Sequence, residues 1–218
     1  MRIRRKKWVD KELEECPFYF DSPIDKKGKW KEYFEKNSPI RLELGCGKGS
    51  FIAKLASMNP EFNYIAVDMI DTMLGLAKRN VEKEYGKKPI NNLVLARMDI
   101  ERIFLIIDET DIIDRIYINF CNPWPKGKHR KKRLTYPKQL ELYKAFLKKG
   151  GEIHFKTDDD GLFEDSLKYF EESGFKILKQ TRNLHEENIF ETNIITEHEE
   201  MFSSQGIKIK ALIAKYVE

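Results

Sequence analysis

Ile40-Arg41-Leu42-Glu43-Leu44-Gly45-Cys46-Gly47-Lys48-Gly49 is the stretch on which the reading of the fold turns. Its first five residues form a short, largely apolar run of strand length. Its last five carry glycine at every second position, and residues 50–58 continue in a helical pattern. A strand, a glycine turn and a helix in that order open several nucleotide-binding α/β folds, and the details separate them. A P-loop requires Ser or Thr after its Lys, whereas Gly49 follows Lys48, and the first spacing is too short. The pattern Gly-x-Gly-x-x-Gly is missed too, because a single residue separates each pair of glycines. Glu43, just ahead of the turn, would repel a pyrophosphate but suits a ligand bearing an ammonium or sulfonium group. S-adenosylmethionine is such a ligand, with Gly45, Gly47 and Gly49 forming its turn.

Outward from this turn, strand and helix patterns alternate. Residues 62–67 read as a strand ending at Asp68, residues 71–85 as a helix, and residues 93–96 as a strand with Asp99 just beyond it and a short helical stretch near 100–107. A fourth strand is expected at 115–120. Pro137 opens a helix expected to run to about Leu147, with Leu140, Tyr143 and Leu147 at helical spacing and Gly150-Gly151 breaking it. Strand 152–156, helix 160–173, strand 175–180, a polar segment around Thr196–Glu200 and strand 207–216 complete the chain. The pattern predicts a doubly wound α/β fold: a mostly parallel, seven-stranded sheet with helices on both faces. Such sheets bind ligands outside the carboxyl ends of their strands, where Gly45, Asp68, Asp99, Asn122 and Asp158 all fall. Asp68, roughly 20 residues past the turn, is placed to accept hydrogen bonds from ribose hydroxyls. Asp99 is placed to receive an adenine amino group. Taken singly, each acid has an ordinary structural role at a cap or turn. Three at successive strand ends behind a glycine turn make a site.

Upstream, residues 1–38 read as a basic arm with an amphipathic helix in the Lys-rich segment 25–36, and residues 39–218 as the main domain. The net charge of +4 conceals its distribution. Arg2, Arg4, Arg5, Lys6 and Lys7 hold five positive charges, and Lys126, Lys128, Arg130, Lys131, Lys132 and Arg133 hold six. The remaining 29 basic residues face 36 acidic ones. Two basic segments on an acidic body point to a polyanionic partner. Three irregularly spaced cysteines form neither a disulfide framework nor a metal knuckle, which fits a reducing, cytoplasmic setting. No apolar run reaches the length of a membrane span, and none follows the basic start as in a signal peptide.

The second informative stretch is Asn119-Phe120-Cys121-Asn122-Pro123-Trp124-Pro125-Lys126, with its cationic continuation to Arg133. A polar side chain, an aromatic ring and a run of cations together suit an aromatic base and its phosphates. The Trp124 ring either stacks on a base or anchors the loop. His154 reads as a packed strand residue, and His129 as part of the cationic run. His198 stands between Glu197 and Glu199, but no further ligand has suitable spacing, so no metal is expected.

These stretches carry a family resemblance. Glu43-Leu44-Gly45-Cys46-Gly47-Lys48-Gly49 resembles the cofactor signature of class I, Rossmann-like methyltransferases. The segment Asn119–Lys126 with Arg133-Leu134-Thr135, together with His154-Phe155-Lys156-Thr157-Asp158 and Asn193-Ile194-Ile195-Thr196-Glu197-His198-Glu199, resembles the bacterial tRNA (guanine-N7)-methyltransferases from about residue 40 onward. That family methylates a guanosine in the tRNA variable loop. The resemblance implies S-adenosylmethionine contacts from Glu43, Asp68, Asp99 and Asn122, and substrate contacts from Lys126, Asp158, Thr196, Glu197, His198 and Glu199. It implies RNA contacts from Lys128, His129, Arg130, Lys131, Lys132 and Arg133. Asn122, Asp158 and Glu197 are the candidates for assisting the chemistry. The chain departs from the family at Asn122, where Asp is usual before Pro-Trp. Asn-Pro-Trp-Pro partly resembles the Asn-Pro-Pro-aromatic motif of exocyclic-amine methyltransferases, which makes RNA amine methylation the rival activity. A non-enzymatic RNA-binding subunit is the third reading, and the set of strand-end acids opposes it. The expected partner is tRNA, for a monomer or homodimer without membrane or metal.

Overall fold

The computed structural model describes residues 7–217. The expected positive charges at Arg2, Arg4, Arg5 and Lys6 lie outside the described residues. The chain divides into two compact units, Met1–Asp111 and Ile112–Glu218.

The first unit contains α1 (Lys7–Glu14), β1 (Tyr19–Asp21), α2 (Trp30–Tyr33), β2 (Ile40–Leu44), α3 (Ser50–Met58), β3 (Asn63–Asp68), α4 (Asp71–Tyr85) and β4 (Leu93–Arg97). Its strands lie in the order β1-β4-β3-β2, and the pairs β1–β4, β3–β4 and β2–β3 are parallel. Every residue of β2 is buried, as is nearly every residue of β3 and β4. Burial on both faces is why these strands read as apolar runs without alternation. The helix α1 packs on α4: the Arg79 guanidinium lies 3.7 Å from the Trp8 ring centroid and its Nε donates to Glu12 at 2.9 Å. The amphipathic helix expected over residues 25–36 is instead a short 3-10 turn, Ile24–Lys26, followed by the single turn of α2. Gly28, at φ +75°, separates the two. Trp30 is fully buried, donating from Nε1 to Ile106 O at 2.7 Å, while Asp111 accepts from the backbone N–H groups of Gly28 and Trp30. Long-range bonds, not helix periodicity, fix this segment.

The second unit contains β5 (Ile113–Asn119), α5 (Pro137–Lys144), β6 (Leu147–Thr157), α6 (Asp160–Glu172), β7 (Phe175–Thr181), α7 (Glu197–Ser204) and β8 (Lys210–Tyr216). The order is β5-β6-β8-β7, with β5 and β6 parallel and β8 antiparallel to both neighbours. The helix expected to reach Leu147 ends at Lys144, and Leu147 already belongs to β6. The Gly150-Gly151 pair is therefore no helix breaker. It lies where the register passes from Ile113↔Leu147 to Arg115↔Glu152, a bulge in β6. Gly151 is obligatory there, because a Cβ would lie 2.7 Å from Lys148 O and 3.0 Å from Asp114 O. The described residues form eight strands, one more than the seven expected; the addition is β1, whose three residues were too short a run to register.

Candidate functional site

In the first unit the glycine turn hangs from β3. Gly45 and Cys46 both donate to Val67 O, at 2.8 and 3.0 Å, and Gly47 N donates to Asp68 Oδ2 at 2.9 Å. The other oxygen of Asp68 accepts from Ile70 N at 2.9 Å, where α4 begins. One carboxylate thus ties the turn to the next helix. Gly45, Gly47 and Gly49 all have positive φ, of 81°, 53° and 70°. At Gly49 a Cβ would stand 2.7 Å from Ala77 Cβ, so α3 and α4 approach too closely for a side chain. At Gly47 a Cβ would meet nothing within 4 Å, leaving open space over the turn.

Glu43 is 2% exposed at the end of β2. Burial, followed by the charges of Asp68 and Glu43, pushes the Cys46 thiol well above its ordinary pKa, which shows both carboxylates converging on the turn. Cys46 is thereby a small protonated residue rather than a nucleophile. Burial also raises the Asp68 carboxyl, against the lowering effect of N–H groups from Ile70, Gly47 and Met69. Asp99 is exposed and caps the turn Ile100–Leu105, accepting from Glu101 N at 3.0 Å.

In the second unit, β5 delivers the loop through two strained positions. Phe120 and Trp124 have φ of 51° and 41°, both in the left-handed region and neither a glycine. Asn122 Oδ1 accepts from Trp124 N at 3.0 Å, an Asx turn. Lys132 Nζ stands 5.2 Å from the Trp124 ring centroid and the His129 ring is 5.6 Å away. Lys126, Lys128, Arg130, Lys131 and Lys132 are exposed and His129 half-buried. Arg133, expected among the RNA contacts, is only 2% exposed. Its Nε donates to Pro123 O at 2.7 Å and its Nη1 to Asp165 Oδ2 of α6 at 2.6 Å. It closes the loop on itself, so Arg133 is corrected to a structural clamp.

Asp158, at the carboxyl end of β6, is half-buried, and its backbone oxygen accepts from Lys210 Nζ at 2.9 Å. Burial takes the Cys121 thiol up to about 12, with the Asp158 charge adding and Leu134 N–H and Arg133 opposing. The polar segment after β7 is helical from Glu197, with the Thr196 Oγ1 accepting from Glu199 N at 3.0 Å. Thr-x-x-Glu is a helix-start signal, and it marks the start of α7 within what reads from the sequence only as a polar segment. Glu197 and His198 are exposed, and His198 stacks on Phe120 at 5.9 Å. Glu199, expected to touch substrate, is fully buried. Its Oε2 accepts from Lys156 Nζ at 2.9 Å and its Oε1 from Asn193 Nδ2 at 2.8 Å. Lys156, Asn193 and Asp165 are the residues whose work sequence reasoning missed.

A family model described as "Putative methyltransferase" matches residues 37–212. The tRNA (guanine-N(7)-)-methyltransferase of Clostridium beijerinckii is 58% identical over 98% of this chain and 98% of its own length. The chain belongs to this family. The tRNA (guanine-N(7)-)-methyltransferase of Ruminiclostridium cellulolyticum is also 58% identical, over 99% of this chain and 92% of its own. Among solved structures, an antibiotic-related methyltransferase superposes with a TM-score of 0.58 at 21% identity, covering 84% of this chain and 88% of that one. The 16S rRNA methyltransferase KamB does so at 0.60 and 16% identity, covering 86% and 91%. These two likenesses show the fold: an α/β, Rossmann-like methyltransferase. Among the described residues of this family member, no helix is long and apolar enough to cross a membrane, and no group of three or more His, Cys, Asp or Glu could hold a metal ion.

Proposed function

We propose that the protein transfers a methyl group from S-adenosylmethionine to N7 of a guanosine in tRNA, and that this guanosine lies in the variable loop. One observation carries the reading: the identity of 58% with a curated tRNA (guanine-N(7)-)-methyltransferase covers 98% of the chain, and so takes in both the glycine turn and the cationic loop.

The residues of the turn fit the cofactor. Open space at Gly47, the buried acid Glu43 and the anchored carboxylate of Asp68 suit an adenosine bearing a positive charge. Glu43 complements that charge, Asp68 accepts from the ribose hydroxyls, Asp99 takes the adenine amine, and Gly45, Gly47 and Gly49 let the backbone come close. When bound, S-adenosylmethionine supplies an electrophilic methyl on a sulfonium sulfur. Guanine N7 carries no proton, so the chain needs no general base. Its contribution is alignment, which supplies about 7–11 kcal/mol for well-oriented reactants.

Methylation leaves the guanine ring positively charged, and the carboxylates of Asp158 and Glu197 stabilise that charge as it develops. Asn122 orients the base or cofactor by hydrogen bonding without adding charge. Lys126, Thr196 and His198 flank the nucleotide, and Lys128, His129, Arg130, Lys131 and Lys132 take the phosphates. Incubation with labelled S-adenosylmethionine and unmodified tRNA, followed by nucleoside analysis, tests the reading. Label in 7-methylguanosine is expected, at a single position of the variable loop. Label in an exocyclic-amine product overturns the N7 assignment, and no transfer at all leaves only an RNA-binding role.

A further inference from the structure

The cluster around Glu199 joins residues far apart in sequence. Lys156 Nζ donates to Asn193 Oδ1 at 2.6 Å, to Ile194 O at 3.0 Å and to Glu199 Oε2 at 2.9 Å. Asn193 returns a bond from Nδ2 to Glu199 Oε1 at 2.8 Å, and His185 Nε2 stands 3.2 Å from the same oxygen. The Lys156 side chain is 5% exposed and that of Glu199 is fully buried. An ammonium donating to three oxygens, with both oxygens of its partner carboxylate engaged, is a closed network. Its geometry matters because of what it connects. Lys156 lies two residues before Asp158 on β6, while Asn193 and Glu199 bracket Thr196, Glu197 and His198.

We infer that Lys156 and Glu199 are positioning residues: their buried pair sets Glu197 and His198 in register with Asp158, and Glu199 does not itself touch guanine. This rests on the proposed tRNA reaction and deepens it. A carboxylate that contacted the guanine edge would accept from the exocyclic amine, which inosine lacks. Glu199 is fully buried with its oxygens turned to Lys156 and Asn193, so reading of that amine falls to Asp158 or Glu197.

The test uses the full chain with tRNA carrying guanosine or inosine at the target, comparing wild type with Lys156→Met, Glu199→Gln and Asp158→Asn. In Lys156→Met and Glu199→Gln, kcat/KM for the guanosine tRNA is expected to fall at least tenfold. The KM for S-adenosylmethionine and the guanosine-over-inosine ratio should both stay within twofold of wild type. Asp158→Asn, or Glu197→Gln measured beside it, should be the variant in which the ratio drops. A ratio falling towards one in Glu199→Gln would show direct contact with the base and overturn the inference, as would wild-type kcat/KM in Lys156→Met. Amide hydrogen exchange gives an independent reading: faster exchange confined to residues 193–200 is expected in Lys156→Met, and unchanged exchange there would overturn the clamp. If Lys156→Met does not fold, Lys156→Met/Glu199→Met, which removes both charges, replaces it in the same measurements. Should wild type transfer no methyl to tRNA, the proposed reaction fails while the exchange result still decides the clamp.

Discussion

The two units hold their functional groups by different means. Around the glycine turn, positions are set by backbone: three glycines at positive φ, N–H groups donating to Val67 O, and one carboxylate, Asp68, bridging turn and helix. Around Asn122 and Asp158, they are set by buried or half-buried side-chain ion pairs: Arg133 with Asp165, and Lys156 with Glu199, separated by 32 and 43 residues. A backbone cradle is held by N–H groups and glycine conformations. A scaffold of buried charges is stable only while each charge keeps its partner. The first arrangement suits an invariant small ligand, and the second suits loops that must fit a large polyanion.

The largest expected effect breaks the side-chain scaffold. Glu199→Leu leaves Lys156 buried without its carboxylate and should cost about 3–5 kcal/mol, read from urea denaturation midpoints. Next comes the backbone cradle: Gly49→Ala meets Ala77 at a left-handed position and should cost about 2–4 kcal/mol by overpacking and backbone strain together, in the same denaturation series.

Asp68→Asn is a milder change. It should raise the dissociation constant for S-adenosylmethionine about tenfold, or about 1.4 kcal/mol, by calorimetry. Its pH behaviour is more telling. Because burial raises the Asp68 pKa, acidification protonates it in the native state before it would protonate an ordinary aspartate. Over that interval the native state binds more protons than the unfolded chain, so the Asp68 contribution to stability grows as pH falls and is lost as pH rises. Cofactor binding needs the ionised form and weakens as pH falls. Affinity and stability should therefore move in opposite directions, and Asp68→Asn should flatten both trends. The smallest effect belongs to the exposed loop. Lys128→Ala should lower tRNA affinity a few-fold and reduce the slope of log K against log salt by roughly 0.7–0.9, as measured by filter binding.

This contrast also explains what could be read from sequence. The spans Ser50–Met58 and Asp71–Tyr85 were legible residue for residue, because buried parallel strands and the helices between them follow short-range patterns. The glycine turn with Glu43 and Asp68 beside it was legible for the same reason. The errors came where a distant partner decides. Leu147 fits a helical face but is claimed by pairing with Ile113. The segment 25–36 has helical composition but is pinned by Ile106 and Asp111. Arg133 and Glu199 look like surface charges, and only Asp165 and Lys156 reveal that they are internal.

The Asx turn at Asn122 bears on the departure from the family's usual Asp. With Oδ1 accepting from Trp124 N, the group this side chain turns outward is the amide nitrogen Nδ2, a donor. An Asp making the same turn would turn outward a second acceptor with half a negative charge. The chain thus keeps the shape of its loop while changing the polarity of one atom: the side chain at 122 carries a donor where an Asp would carry only acceptors.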